Sequence, residues 1–479
     1  MNKSKLLLLS SVAVVVVAGV VGWMVTRHGS DAYLRALPTD ATALARLDVM
    51  EIVDEADLSK QEQLQLLRRL TDSDGKIGFD LSRPLYGFVA PDGNFGCVAS
   101  VGDKGDLNAF CENLHRQGKA SEVTHQRGYA WTTVQQQWLL AYDAHTALFM
   151  GPAVGAAQDP LRNEMYRLLE QGKTTDGQTR RLMERLDMND EPFMAVLTPE
   201  VMPQTVRRYL WKMHVSSAED ALLEVMLDAD DNELVLENKL IPLNQTVKDE
   251  LARLQALMRP VKADLIDHAH ADHVAWLTVN VKGQTLLEAL RTVKTIRTAL
   301  VALNLTFDAD RILQAVDGDV AIELPRLSDI LNPGSTALQN VSLTAKVANT
   351  NFLQGATSWG NNVMGVRALS PTDFALDFGL SPMYFGVKGN TFYLAPHQGP
   401  STEGNPYLHH QRDDIRGERL YATVALSSLR GMMDMTGGAG TLLDAFERLD
   451  VEMEDVGDFD VKFIAPEGTN IAKKLLLNE

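Results

Sequence analysis

Apolar residues in this chain form one long unbroken run followed by many short alternating ones. From Leu6 to Val25 no residue is charged. At about 1.5 Å per residue, a helix of that length crosses the roughly 30 Å hydrocarbon core of a bilayer. Lys3 and Lys5 precede the run and Arg27 follows it, with Trp23 near its end as an interfacial aromatic. The positive-inside bias therefore leaves the N-terminus in the cytoplasm and exports the rest. A cleaved signal peptide is the competing expectation, with Val16 and Ala18 as small residues before the cut. The apolar run outlasts that cut, and no Cys near its end accepts a lipid. Either way the body is extracytoplasmic.

Beyond the run, the hydrophobic pattern predicts two collinear series of elements. ATALARLDV at 41–49 alternates like a half-buried strand and leads into a helical pattern carrying Leu64, Leu66, Leu67 and Leu70. HVAWLTVNV at 273–281, followed by a helix over 286–303, repeats it. An Asp-containing turn then precedes a strand at 78–91 and again at 307–325. A strand runs directly into a helix at 95–115 and at 341–359. Central hairpins follow at 138–152 and 383–396, with tight turns at Asp143-Ala144-His145-Thr146 and Lys388-Gly389-Asn390-Thr391. Strands entering helices (from Pro192 and from Arg419), acidic hairpins (222–242 and 448–466) and a closing helix complete each series. The series part only after the central hairpin, with helical stretches at 161–170 and 179–186 in the first and a polar loop at 397–418, the expected mobile segment, in the second.

The expected organisation is therefore a cytoplasmic tip and transmembrane signal-anchor (1–27), a tether (28–36), a first unit (37–258), a linker (259–266) and a second unit (267–479). The fold class is α+β: an N-terminal transmembrane helix, then two tandem duplicated units of mainly antiparallel sheet covered by helices.

Charge and cysteine content alter this picture little. The net charge of −18 is spread along the 479 residues, which speaks against a nucleic-acid partner. Cys97 and Cys111 are the two cysteines. An exported compartment permits them to pair, and their apolar surroundings equally suit small buried hydrophobes.

LPTDATALARLD at 37–48 and GFDLSRPLYGF at 78–88 resemble a family of exported Bacteroidetes envelope proteins known as domain of unknown function 4836. The resemblance implies the compartment and the fold. It carries no catalytic residues.

One local motif carries chemistry. Residues 267–273, DHAHADH, contain H-x-H-x-D-H, whose spacing resembles the first metal motif of metallo-β-lactamase-type hydrolases. His268, His270, Asp272 and His273 are accordingly the candidate zinc ligands. Against them, the next histidine is His397, 124 residues on, and the motif runs straight into a strand rather than a glycine turn. A polar His-rich linker is the alternative reading. The acidic turn at 228–233 lacks the glycine and distal Glu of a calcium loop. Gly437, Gly438 and Gly440 lack the Lys of a phosphate loop. Met432, Met433 and Met435 suit packing better than soft-metal binding.

The expectation is thus a single-pass, membrane-anchored periplasmic protein of the cell envelope that binds or scaffolds without catalysis or cofactor. Its expected partners are the membrane through the N-terminal helix, other envelope proteins, and a ligand in a groove between the repeats. The alternative is a zinc-dependent hydrolase using the histidine cluster.

Overall fold

The computed structural model describes residues 31–59, 61–62, 77–172, 177–271, 273–292, 297–298, 300–301, 304, 308–324, 341–359, 365–378, 381–426 and 445–477. The apolar run at 6–25, residues 64–70, Asp272 and the Met/Gly stretch at 432–440 lie outside them. Among the described residues no helix is long and apolar enough to cross a membrane. The chain divides into two compact units, one ending at Val247 and regaining the chain from Ala465, the other Lys248–Ile464.

Among the described residues, the strands of the first unit pair in one sheet. Its strands are β1 (Ala43–Leu47), β2 (Leu85–Val89), β3 (Phe95–Ser100), β4 (Thr124–Gln126), β5 (Tyr129–Val134), β6 (Trp138–Tyr142), β7 (Thr146–Gly151), β8 (Phe193–Leu197), β9 (Ala221–Asp230) and β10 (Glu233–Pro242). They lie in the order β10-β9-β8-β1-β2-β3-β7-β6-β5-β4, and every pair is antiparallel.

Both faces of this sheet are covered, which explains why β6 reads WLLAY without a polar break. Leu139 and Ala141 enter one core and Leu140 and Tyr142 the other, as a period of two requires. The first core is closed by the helices Gln158–Glu170 and Gln178–Leu186 through Leu161, Met165, Leu169, Leu182 and Leu186. The second is closed by the helix Lys104–Arg116 through Leu107, Phe110 and Cys111, and by the chain's last helix, Ile471–Leu477, through Ala472 and Leu477. Asp103 starts the former by accepting a hydrogen bond from the Asp106 N–H at 2.9 Å. The last helix, expected to close the second unit, groups with the first because its apolar side chains pack there.

Cys97 and Cys111 are free, the first half-buried and the second buried. Burial pushes their thiols up to about 12 and about 11. Both remain protonated and inert near neutrality.

The second unit contains β11 (Met258–Arg259), β12 (Ala275–Lys282), β13 (Val316–Leu324), β14 (Ser342–Val347), β15 (Gly365–Ala368), β16 (Asp373–Phe378), β17 (Ser381–Lys388), β18 (Thr391–Ala395), β19 (Leu420–Ala425), β20 (Arg448–Asp455) and β21 (Asp458–Ile464). Ten of them form the order β21-β20-β19-β12-β13-β14-β18-β17-β16-β15, again antiparallel throughout. The short β11 pairs with the end of β12. Strand for strand, this is the pairing order of the first unit. The β17–β18 turn places Gly389 at φ 61°, a conformation glycine adopts without a Cβ penalty.

Three stretches differ from the sequence expectation. Instead of one helix over 351–359, there are single 3₁₀ turns at Asn351–Leu353 and Ala356–Ser358, parted by Gly355 at φ 82°. The stretch expected as a linker, 259–266, buries Val261, Ala263, Leu265 and Ile266 against Trp276, Ala321 and Tyr421. The loop at 397–418 holds the short helices Pro406–His410 and Arg412–Ile415, pinned by the buried Leu408 and Ile415 in that same core.

Candidate functional site

The buried stretch 261–269 sets the histidines in place. With Leu265, Ile266 and Ala269 locked in the core, His268 ends the 3₁₀ turn Ile266–His268, and His270 and His273 follow just before β12. Glu323, near the end of β13, lies beneath them. Its Oε1 accepts the His270 backbone N–H at 2.7 Å and stands 3.5 Å from His273 Nδ1, while Oε2 is 3.9 Å from His270 Nε2.

The loop after β18 supplies the other side. His397 Nε2 is 2.9 Å from His270 Nε2, and the rings meet edge to face at a centroid distance of 4.8 Å and an angle of 77°. At that separation one ring nitrogen donates and the other accepts. Glu403 Oε2 lies 3.6 Å from His270 Nδ1. Asn405 is buried and ties the two segments together. Its Nδ2 donates to the carbonyls of His270 (3.1 Å) and Ala271 (2.8 Å), and its Oδ1 caps the helix Pro406–His410 at the Leu408 N–H.

Electrostatics follow from this crowding. Burial, then the neighbouring His270, holds His397 below the ordinary histidine value of 6.5, against the opposing pull of Glu323 and Glu403. The His273 side chain is fully enclosed, and among the described residues its Nε2 has no hydrogen-bond partner.

The four candidate ligands of the local motif do not converge as a unit. His268 turns away and donates from Nδ1 to the Ser401 carbonyl at 3.1 Å. His270 faces His397, His273 is buried toward Glu323, and Asp272 lies outside the described residues. Among the described residues, no group of three or more His, Cys, Asp or Glu side chains is placed to hold a metal ion. The participation of Glu323, His397, Glu403 and Asn405 was not visible in the local sequence, because these residues lie 53 to 135 positions from their partners.

A second polar cluster sits in the same unit. Asp450, on β20, accepts hydrogen bonds from the Tyr407 hydroxyl (2.6 Å), the Tyr421 hydroxyl (2.5 Å) and Thr423 Oγ1 (2.6 Å). The Arg448 guanidinium lies 3.9 Å from the Tyr407 ring centroid. Burial and the Asp450 charge push both phenols up, so both hydroxyls keep their protons near neutrality. The shared carboxylate fixes the two rings and Thr423 relative to one another.

Beside these clusters the unit has a cavity of about 510 Å³ lined by Arg259, Pro260, Val261, Lys262, Asn280, Arg416 and Gly417. Its walls are fixed from behind. Arg259 donates to Asn280 Oδ1 and the Val281 carbonyl and pairs with Asp317 at 2.9 Å. The buried Asp319 accepts from the backbone N–H groups of Lys262 and Asp264 and from Asn280 Nδ2. In the first unit, the acidic hairpin turn spends Asn232 and the Asp231 carbonyl on Ala465 and Ile471.

Comparison with known proteins gives a family but no activity. The family model described as domain of unknown function DUF4836 matches residues 33–398. No curated protein matches the chain. Among solved structures, crystal forms IV and III of TP0453 are similar at 11% identity, with TM-scores of 0.27 and 0.29. They cover 43% and 48% of this chain and 79% and 89% of their own. Similarity at that level carries no argument about this chain.

Proposed function

The chain belongs to the DUF4836 family, whose domain has no known function, and from that premise we propose that it is a membrane-tethered, extracytoplasmic binding protein of the cell envelope without catalytic chemistry. The observation that carries the binding part is the cavity lined by Arg259, Lys262 and Arg416. Its volume falls within the roughly 300–1,000 Å³ of small-molecule sites. Arg259 and Arg416 are already paired with Asp317 and Asp413, so Lys262 is the cation this opening offers to an anionic group, and Pro260 and Val261 beside it accommodate an apolar body.

The tether is the charge-free run at 6–25, flanked by Lys3 and Lys5. The common strand order of the two sheets supports an origin by internal duplication. A reporter fusion tests the topology: alkaline phosphatase joined at the C-terminus is active if the body is exported and inactive if it is cytoplasmic. For binding, the full chain is screened by thermal shift against small carboxylates and phosphates, with Lys262→Glu and Arg416→Glu as controls. Stabilisation lost in both variants supports the reading, and stabilisation that survives both removes the cavity from it.

A zinc-dependent hydrolase is the second reading, favoured by the approach of His397 to His270. Metal analysis of the purified chain separates the two. Stoichiometric zinc that is lost on changing His268 and His270 to Ala would displace the binding reading.

A further inference from the structure

The first unit carries a helix that the core does not explain. Gln204–Lys212 is nine residues long, and among its described side chains none is buried. Trp211 is 57% exposed and Val206 42% exposed. Gln204, Arg207, Arg208, Trp211 and Lys212 recur at i, i+3, i+4, i+7 and i+8, so they share one face. Leu210 and Met213, on the other side, are half-buried.

The charge of that face is opposite to that of the chain. Between Val201 and Val215 there are three basic residues and no acidic one, on a protein of net charge −18. Glu200, the acidic residue next before this stretch in the sequence, accepts the Ala218 N–H at 3.2 Å. The Arg207 guanidinium lies 5.7 Å from the Trp211 ring centroid, which leaves an indole flanked by cations and open to solvent. Indole at a headgroup boundary with basic residues beside it is the side-chain chemistry of a helix lying in the plane of an anionic bilayer surface.

We propose that the Gln204–Lys212 helix docks on an anionic lipid surface, with Trp211 entering the headgroup layer and Arg207 and Arg208 over lipid phosphates. The proposal rests on the membrane-tethered reading, because the short stretch between the run at 6–25 and the first described residue keeps the body near a bilayer. Charge complementarity calls for an anionic partner. An exposed indole on a helix whose described side chains include none that is buried suits a broad, soft surface more than a narrow acidic groove.

The test uses the full chain in vesicles of phosphatidylcholine alone and of phosphatidylcholine with about three parts in ten phosphatidylglycerol. Flotation with the neutral vesicles tests the tether separately. Docking is read as quenching by brominated acyl chains of the fluorescence difference between wild type and Trp211→Phe, which removes the other five tryptophans.

The expected result is quenching in the anionic vesicles, at least about twentyfold weaker docking for the double variant Arg207→Glu/Arg208→Glu at about fivefold per basic residue, and release by high salt. A chain that floats with neutral vesicles yet shows no Trp211 quenching in anionic ones overturns the proposal and leaves the tether standing. A chain that does not float with neutral vesicles refutes the tether, and quenching on added anionic vesicles still decides the helix. Unquenched Trp211 together with a charge-dependent cross-link to an envelope protein overturns the proposal in favour of an acidic protein surface.

Discussion

Glu418, which precedes β19, makes the second unit's stability depend on pH in an unusual direction. Its Oε2 is buried and has no hydrogen-bond partner among the described residues. Burial first, then the charges of Glu452 and Glu454, push its carboxyl from 4.5 up to about 7, with Lys462 opposing. In the folded state the group holds its proton where the unfolded chain has released it. Folding stability is therefore fully present below about pH 4.5 and is lost as pH rises through about 7. At about 1.4 kcal/mol per tenfold change in proton affinity, ionising Glu418 in the fold costs about 3 kcal/mol, and solvent screening of a half-buried group brings this toward 2. Glu418→Gln removes the ionisation while keeping the shape. Urea denaturation of both proteins, followed by fluorescence, should show the variant gaining about 1–2.5 kcal/mol more, relative to wild type, near pH 8.5 than near pH 5, because part of the loss has already occurred by pH 5. In thermal melts a unit of this size moves by about 2–4 °C per kcal/mol. An equal difference at the two pH values would refute the reasoning, because a fixed packing effect of the amide has no pH dependence.

Three further outcomes are expected. Gly78→Ala places a Cβ at φ 77° and 2.3 Å from the Leu107 backbone nitrogen, whereas Gly93→Ala, at φ 84°, meets nothing within 4 Å; the first should cost about 2–4 kcal/mol and the second about 1, so equal costs in denaturant titration would contradict the clash. Asp450→Ala leaves the hydroxyls of Tyr407, Tyr421 and Thr423 without their acceptor and should cost about 3–5 kcal/mol, against about 1 for Tyr421→Phe; a loss below 1 for Asp450→Ala would deny the network its structural role. His397 should titrate below 6.5 by NMR, and its contribution to stability should fall as pH drops from 6.5 through that lowered value, because the unfolded chain binds the proton first. Replacing His270 with Ala should raise the His397 value part of the way back, and an unchanged value would remove His270 as a cause.

Where alternation is strict, the fold is legible from sequence. The hairpins of β6–β7, β17–β18, β9–β10 and β20–β21 fall where period-two runs flank short turns, and Asp143 fixes one of these by accepting from the His145 and Thr146 N–H groups. The destination of an apolar segment is less legible. Ile471–Leu477 has an amphipathic pattern that says it must pack, but nothing local says against which unit. The stretch 259–266 did carry a signal, since Val261, Ala263 and Leu265 recur at a spacing of two, a periodicity that buried strand-like chain shows and a solvated linker does not.

The histidine cluster was half legible for a reason that the two sheets make plain. Spacing along the chain exposes His268, His270 and His273 but cannot show that the strand order returns β18 to the neighbourhood of β13, by way of β14. That return carries the 397–418 segment to Glu323 and His270. In the first sheet the corresponding position, after β7, is filled by helices that insert Leu161, Met165, Leu169, Leu182 and Leu186 into a core. In the second, the segment inserts Leu408 and Ile415 into its core, packs Tyr407 against it, and offers His397, Glu403 and Asn405 to the cluster. An insert whose side chains fill a core is constrained by close packing, whereas one anchored by Leu408, Ile415, Tyr407 and Asn405 leaves His397 and Glu403 outside that core. The polar cluster of the second unit is therefore built by a segment whose place in the strand order the first unit fills with apolar helices, and substitutions at His397 and Glu403 should alter that cluster with little effect on the sheet beneath.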